Sequence, residues 1–317
     1  MSPSKSPLKF PMASINPPIS PFAADVRGAL ARGEFEMWFQ PQLRLADGKV
    51  VAVEGLARWR HPTRGILRPD AFLTQIANED LNVIFTRQVM ASCLACLETL
   101  DLAGHTDIAV AMNVSWEWIV DRKNVNELVR LAEEAGKHPS RVIVEIVESA
   151  QLVRNAHALR NMNVLRAHGF VLALDDFGTG YNALEHLRYM PLNHIKVDRS
   201  LVDKCSHEVR GTRLLGGIVA LVHGIGAVVT IEGVSRDEDL NLIMALDADL
   251  AQGNLLGEVM PIDQLVGWLS GQCNERGRSV RPTRDESSSV PRDQLYSPRE
   301  RGGAGAPGSS WIRTGRS

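Results

Sequence analysis

The stretch Val171-Leu-Ala-Leu-Asp-Asp-Phe-Gly178 is the key to the architecture. Four apolar residues run without alternation and stop at two adjacent carboxylates. A strand covered on both faces reads as such a run, whereas a strand with one wet face alternates. The same design recurs on both sides, at 108–114, 142–147, 194–197, 228–231 and 248–251, with helical segments between. Strands separated by helices imply parallel βαβ units. Farther upstream, Met37, Phe39, Leu43 and Leu45 alternate with polar neighbours, which is the period of a half-buried strand. Asp47-Gly48 follows, then the β-branched run 50–59. Asp-Gly between two such runs predicts a hairpin, so the first two strands are expected to be antiparallel. With the six runs this makes eight strands. The expectation is an α/β fold, a (β/α)8 TIM-like barrel with an antiparallel first strand.

Outside this body the composition changes. Residues 1–24 carry Lys5 and Lys9, no acid and many Pro and Ser, and they read as a disordered leader. They lack the basic start and apolar block of a secretory signal. Residues 272–317 hold nine Arg against five acids and read as a disordered basic tail. The chain's net charge of −2, less +2 for the leader and +4 for the tail, leaves −8 on residues 25–271. Such a body is a poor partner for a nucleic-acid polymer and suits a site for metal ions. The uncharged run 214–231 is nearly long enough to span a bilayer, but Gly224 and Gly226 interrupt it. It reads as a helix, a turn and a strand at 227–231, so no membrane span and a cytoplasmic protein are expected.

The chemistry lies where the apolar runs stop. The second strand carries Glu54 and Arg58 on one face, four residues apart. The later strands carry Asn113, Glu145, Asp175-Asp176, Lys196, Glu232 and Gln252. In a barrel these strand ends converge on one mouth. Five carboxylates gathered there repel by several kcal/mol at an effective dielectric constant of about 20 unless cations intervene. Oxygen donors of this kind select Mg²⁺, Mn²⁺ or Ca²⁺ over zinc, and this many can hold two ions.

Three motifs are set aside. Cys93 and Cys96 form C-x-x-C, but within 84–100 the apolar residues recur at helical spacing, so a core helix is expected. Gly178-Thr-Gly-Tyr-Asn-Ala183 imitates a dinucleotide fingerprint, but Asp175-Asp176 would face the pyrophosphate. Asp176-Phe-Gly178 imitates the magnesium motif of kinases without the catalytic-loop or glycine-rich partners.

The chain resembles the EAL domain family of bacterial cyclic di-GMP phosphodiesterases over about residues 25–271. The resemblance is carried by Phe39-Gln-Pro41, Val53-Glu-Gly-Leu-Ala-Arg-Trp-Arg-His-Pro62, Met112-Asn-Val-Ser115, Val144-Glu-Ile-Val-Glu-Ser149, Leu174-Asp-Asp-Phe-Gly-Thr-Gly-Tyr181, Ile195-Lys-Val-Asp-Arg-Ser200, Ile231-Glu-Gly-Val234 and Ala251-Gln-Gly253. It implies hydrolysis of cyclic di-GMP to linear pGpG with Mg²⁺ or Mn²⁺, as two ions. It implies Glu54, Asn113, Glu145, Asp175, Asp176 and Glu232 as metal ligands, Asp175 bridging the ions. Lys196 would position the attacking oxygen or offset charge, and Glu232 could instead be a general base. Arg58 would hold the non-scissile phosphate, and Gln40 and Gln252 would contact substrate or water. Glu148 would steady the loop from Asp176 to Tyr181, which in the family also contributes to a homodimer. The chain departs from the family at Gly55, where the signature has alanine, and at Ser235, where most active members have a second glutamate. It departs again at Asn254 and Leu256, in place of aromatic residues, and at Glu258-Val259, in place of Arg-Pro. These departures keep open a weak or inactive member that binds the dinucleotide or a protein; a barrel with unrelated divalent-metal chemistry is a third reading.

Overall fold

A computed structural model describes residues 21–147, 152, 154–179, 183–205 and 209–275. Ten strands form one sheet: β1 Phe35–Arg44, β2 Val50–His61, β3 Gly65–Leu67, β4 Ala109–Val114, β5 Val142–Val147, β6 Val171–Phe177, β7 His194–Val197, β8 Val228–Ile231, β9 Leu250–Gln252 and β10 Met260–Pro261. Eight of them close on themselves in the order β1-β9-β8-β7-β6-β5-β4-β2, and β2 pairs back to β1. β1 is antiparallel to both of its barrel neighbours, and the other seven run parallel. This is the barrel with a reversed first strand.

The hairpin is looser than a two-residue Asp-Gly turn. Residues 45–49 form the connection, Gly48 takes φ 66° and Asp47 Oδ1 accepts a bond from the Lys49 N–H at 3.1 Å. The register between β1 and β2 slips between Gln42 and Leu43. Two short strands were not foreseen: β3 extends the far end of β2, and β10 pairs with β1 beyond the end of β9.

The helices cover the outside. On α1 (Pro21–Arg32), Val26, Ala29 and Leu30 are buried. On α2 (Asn82–Leu102), Phe85, Val89, Met90, Cys93, Cys96, Leu97 and Leu100 recur every three or four residues and face the core. This helix alone among the described residues is long and apolar enough to cross a membrane, a candidate the sequence reading passed over. Half of it is buried against the barrel. The run 214–231 divides as expected into α3 (Val209–Gly224), a turn with Gly226 at φ 74°, and β8.

The barrel wall has two unlike faces. Its outer face supplies Val53, Val110, Met112, Val144, Ile146, Leu172, Leu174, Ile195, Val197, Val229 and Ile231 to the main core under the helices. Its inner face begins with a separate small cluster of Ala52, Ala109, Ala111, Ile143 and Ala173. Two residues farther along the same strands stand Glu54, Asn113, Glu145 and Asp175. Strand alternation puts them on the same inward face, about 7 Å nearer the mouth.

Candidate metal centre

Lys196, on β7, is the centre of this upper layer. Its side chain is fully buried, and its ammonium lies 3.1 Å from Glu54 Oε2, 3.1 Å from Glu145 Oε2, 2.9 Å from Asp175 Oδ1 and 2.8 Å from Glu232 Oε1. Four carboxylates, from β2, β5, β6 and the residue after β8, thus meet one cation. Amides complete the ring. Asn113 Nδ2 donates to Glu54 Oε1 at 2.9 Å, and Gln252 Nε2 donates to Glu54 Oε2 at 2.6 Å and to Gln40 Oε1 at 3.0 Å. Gln40 in turn donates to Gly257 O at 3.1 Å. Asp176 follows Asp175 in the left-handed region, at φ 56°, a strain of about 1 kcal/mol or more for a residue with a Cβ. The turn lets two consecutive carboxylates serve one cavity.

Two sets of oxygens could each hold an ion: Glu54, Glu145 and Asp175, and Asp175, Asp176 and Glu232. Within each set the oxygens lie within 4.8 Å of one another, and Asp175 belongs to both. The donors are all oxygens, as a hard divalent cation requires. Glu145 Oε1 is buried and has no hydrogen-bond partner among the described residues, so one acceptor of the first set is left unused. If fully ionised, the five carboxylates against one ammonium would leave four negative charges, the charge of two divalent ions. The residues present therefore fit such ions.

The acid groups respond to this crowding. Burial pushes Glu145 well above the carboxylate range, and the charge of Glu54 adds to it. Burial raises Asp175 as well, only partly opposed by Lys196. Burial and the charge of Asp175 bring Asp176 to about 6, and burial brings Glu232 to about 8. Glu54 is the exception. Burial pushes it up too, but Lys196 and the amides of Gln252 and Asn113 outweigh that and hold it below its ordinary value. Lys196 moves the other way: burial disfavours its charge, and the surrounding carboxylates raise it well above the lysine range.

A profile of the EAL domain matches residues 23–258. The chain belongs to the EAL domain family. It is 34% identical over 251 residues to the cyclic di-GMP phosphodiesterase RocR of Pseudomonas aeruginosa, covering 79% of this chain and 64% of RocR. It is 29% identical over 242 residues to the cyclic di-GMP phosphodiesterase PdeL of Escherichia coli, covering 76% of this chain and 67% of PdeL. The chain spans less than two thirds of RocR and 31% of another such relative, NbdA of Pseudomonas aeruginosa. Among solved structures, the PaMucR phosphodiesterase in its c-di-GMP complex superposes with a TM-score of 0.72 at 29% identity, over 77% of this chain and 99% of that one.

Placed on this EAL barrel, the expected site residues fall into three groups. Glu54, Asn113, Glu145, Asp175, Asp176, Lys196, Glu232, Gln252 and Gln40 come together as described. Arg58 stands farther toward the mouth. Its Nη1 donates to Ala57 O at 2.8 Å, and its guanidinium lies 5.6 Å from the centroid of the Trp38 ring. Glu148 and Tyr181 lie outside the described residues. Of the departures, Gly55 is filled from behind: a Cβ there would stand 2.9 Å from Cys93 Sγ. Cys93 and Cys96 are buried and free, and burial pushes both thiols up, Cys96 to about 12, so they are core and not redox groups. Ser235 Oγ accepts a bond from Arg199 Nη2 at 3.4 Å, and Asn254 Oδ1 accepts one from Gln40 Nε2 at 3.4 Å. Glu258 and Val259 line a cleft of about 430 Å³ with Met260, Gln264 and Trp268. One residue escaped the sequence reading: Gln42 is fully buried and donates to Gln252 Oε1 at 2.9 Å. Its place two residues after Gln40 puts it on the same strand face, but its partner is set by the register of β1 against β9.

Proposed function

We propose that this EAL domain hydrolyses one phosphodiester of cyclic di-GMP to linear pGpG, using two Mg²⁺ or Mn²⁺ ions. The observation that carries the reading is the meeting of five carboxylates in two sets that share Asp175. Glu54, Asn113, Glu145 and Asp175 would hold one ion, and Asp175, Asp176 and Glu232 the other. Divalent cations bound there would supply Lewis-acid charge to a phosphoryl oxygen and make a water acidic enough to attack near neutral pH. Lys196 holds four of the carboxylates at 2.8–3.1 Å and opposes the negative charge that grows on the phosphoryl group. Glu232, whose carboxyl burial raises to about 8, could pass a proton as well as ligate. Arg58, over Trp38, grips the second phosphate through paired N–H groups. Gln40 and Gln252 orient the substrate edge of the site. A homodimer is carried by the family resemblance alone, and a cytoplasmic location by the sequence reading of residues 214–231 as helix, turn and strand.

A second reading has its own support. Ser235 puts a hydroxyl bonded to Arg199 where most active members carry a carboxylate, and this favours a chain that binds the dinucleotide without cleaving it. Purified protein incubated with cyclic di-GMP and Mn²⁺ or Mg²⁺, followed by chromatography, separates the two. Linear product is expected. No product at saturating metal overturns the enzymatic reading, and retained binding then establishes the second.

A further inference from the structure

Three glutamine amides form a directed chain beneath the mouth. Gln42 on β1 is level with Gln252 on β9 and with Ala52 on β2. Its Nε2 donates to Gln252 Oε1 at 2.9 Å. Gln252 Nε2 then donates to Glu54 Oε2 at 2.6 Å and to Gln40 Oε1 at 3.0 Å. Gln40 Nε2 donates outward to Gly257 O at 3.1 Å and to Asn254 Oδ1 at 3.4 Å. Every amide in the chain turns its N–H groups the same way, toward the mouth.

The direction matters because a primary amide has two nearly isosteric ends of opposite polarity. The NH₂ end of Gln252 attracts the Glu54 carboxylate, and the oxygen end would repel it. Gln42 supplies the donor that occupies that oxygen. Packing does not account for an amide at position 42. The neighbouring floor is Ala52 and its alanine companions, and Gln42 Oε1 is itself buried without a hydrogen-bond partner among the described residues. An apolar side chain of equal length would meet the same floor and leave no acceptor unpaired, but it would provide no donor for Gln252.

We propose that Gln42 is a positioning residue, which fixes the amide of Gln252 and through it the orientation of Glu54 toward a divalent cation. The inference rests on the reading of Glu54 as a metal ligand. Groups that orient ligands from outside the coordination shell typically change metal affinity by about tenfold or more, and Gln42 acts one step farther out.

The test is a Mn²⁺ titration without nucleotide, by calorimetry or by the paramagnetic resonance of free Mn²⁺. The proteins are the wild type, Gln42→Met, Gln252→Met, the double variant and Glu54→Ala. Gln42→Met is expected to weaken Mn²⁺ binding about three- to tenfold. The double variant is expected to bind within twofold of Gln252→Met alone, because Gln42 acts only through Gln252. A merely structural role would lower Tm and let the two losses multiply. Gln42→Leu serves if the methionine variant does not fold. Wild-type affinity in Gln42→Met, or losses that multiply in the double variant, overturns the proposal. Wild-type affinity in Glu54→Ala overturns the metal reading beneath it, whereas a loss there with none in Gln42→Met sinks only the role of Gln42.

Discussion

The two inner layers of the barrel sit one strand repeat apart and obey opposite rules. Ala52, Ala109, Ala111, Ile143 and Ala173 form the lower layer and are fully buried, without a polar atom in their side chains. Glu54, Asn113, Glu145 and Asp175 form the upper layer on the same strands, and three of these four are buried carboxylates. The lower layer stabilises the closed barrel through burial and close packing. The upper layer costs stability, because buried like charges are expensive unless paired. One lysine cannot neutralise the five acids gathered around this level, and burial raises four of them, Glu145, Asp175, Asp176 and Glu232, above their ordinary values. The contrast separates what holds this fold from the residues on which the proposed activity rests.

The largest effect expected is on turnover. Glu54→Ala removes an oxygen from one metal set and the partner of Asn113, Gln252 and Lys196, and it should lower cyclic di-GMP hydrolysis by at least about 100-fold while the chain still folds. A rate within twofold of wild type would show that the upper layer is not the reacting site.

Next comes a change that strikes the fold beside the site. Gly253 follows Gln252 with φ 157°, and a Cβ there would lie 2.1 Å from Val234 O. Gly253→Ala is expected to destabilise by about 3–5 kcal/mol or to prevent folding. Thermal melting checks it, and an unchanged Tm would refute the close approach of these two segments.

The pH dependence sharpens the contrast further. Asp176 near 6 and Glu232 near 8 both titrate above their ordinary values of 3.8 and 4.5. Between about pH 4 and 6 for Asp176, and about pH 4.5 and 8 for Glu232, the unfolded chain has released the proton and the folded chain retains it, so stability falls as pH rises. Metal-free protein should melt at a lower temperature at pH 8 than at pH 6. Saturating Mn²⁺, which needs the deprotonated ligands, should stabilise more at pH 8 than at pH 6. A metal-free Tm that rises between pH 6 and pH 8 would contradict the assigned shifts.

The smallest effect concerns the outer wall. Gly55→Ala presses a methyl group against Cys93 Sγ, which is expected to cost about 1–2 kcal/mol with turnover within twofold of wild type. Adding Cys93→Ala should recover most of the loss in a melting experiment. No recovery would mean that the strain lies elsewhere.

The same contrast explains what the amino-acid order reveals. The wall is readable because its outer face is apolar enough to show as uninterrupted runs, and the acids are readable because they break those runs at one height. Boundaries read less well. β6 continues through Asp175, Asp176 and Phe177, since a strand is defined by backbone pairing and not by hydropathy. β9 starts at Leu250, two residues later than the apolar run, because Asp247 turns the chain at φ 63° and the Asp249 side chain accepts a bond from the Val229 N–H at 2.9 Å. β3 and β10 have three and two residues, too few for any periodicity. Gln42 carries no charge and breaks no pattern. Its role depends on the register of β1 against β9, which only the folded chain supplies.

The claim that the upper layer is a two-ion site is tested most directly by counting. Calorimetric titration of the metal-free chain with Mn²⁺ at pH 8 should give two ions bound per chain, with proton release that grows as the starting pH is lowered toward 7. Binding of no ion, or two-ion binding that survives replacement of Asp175 by alanine, would contradict it.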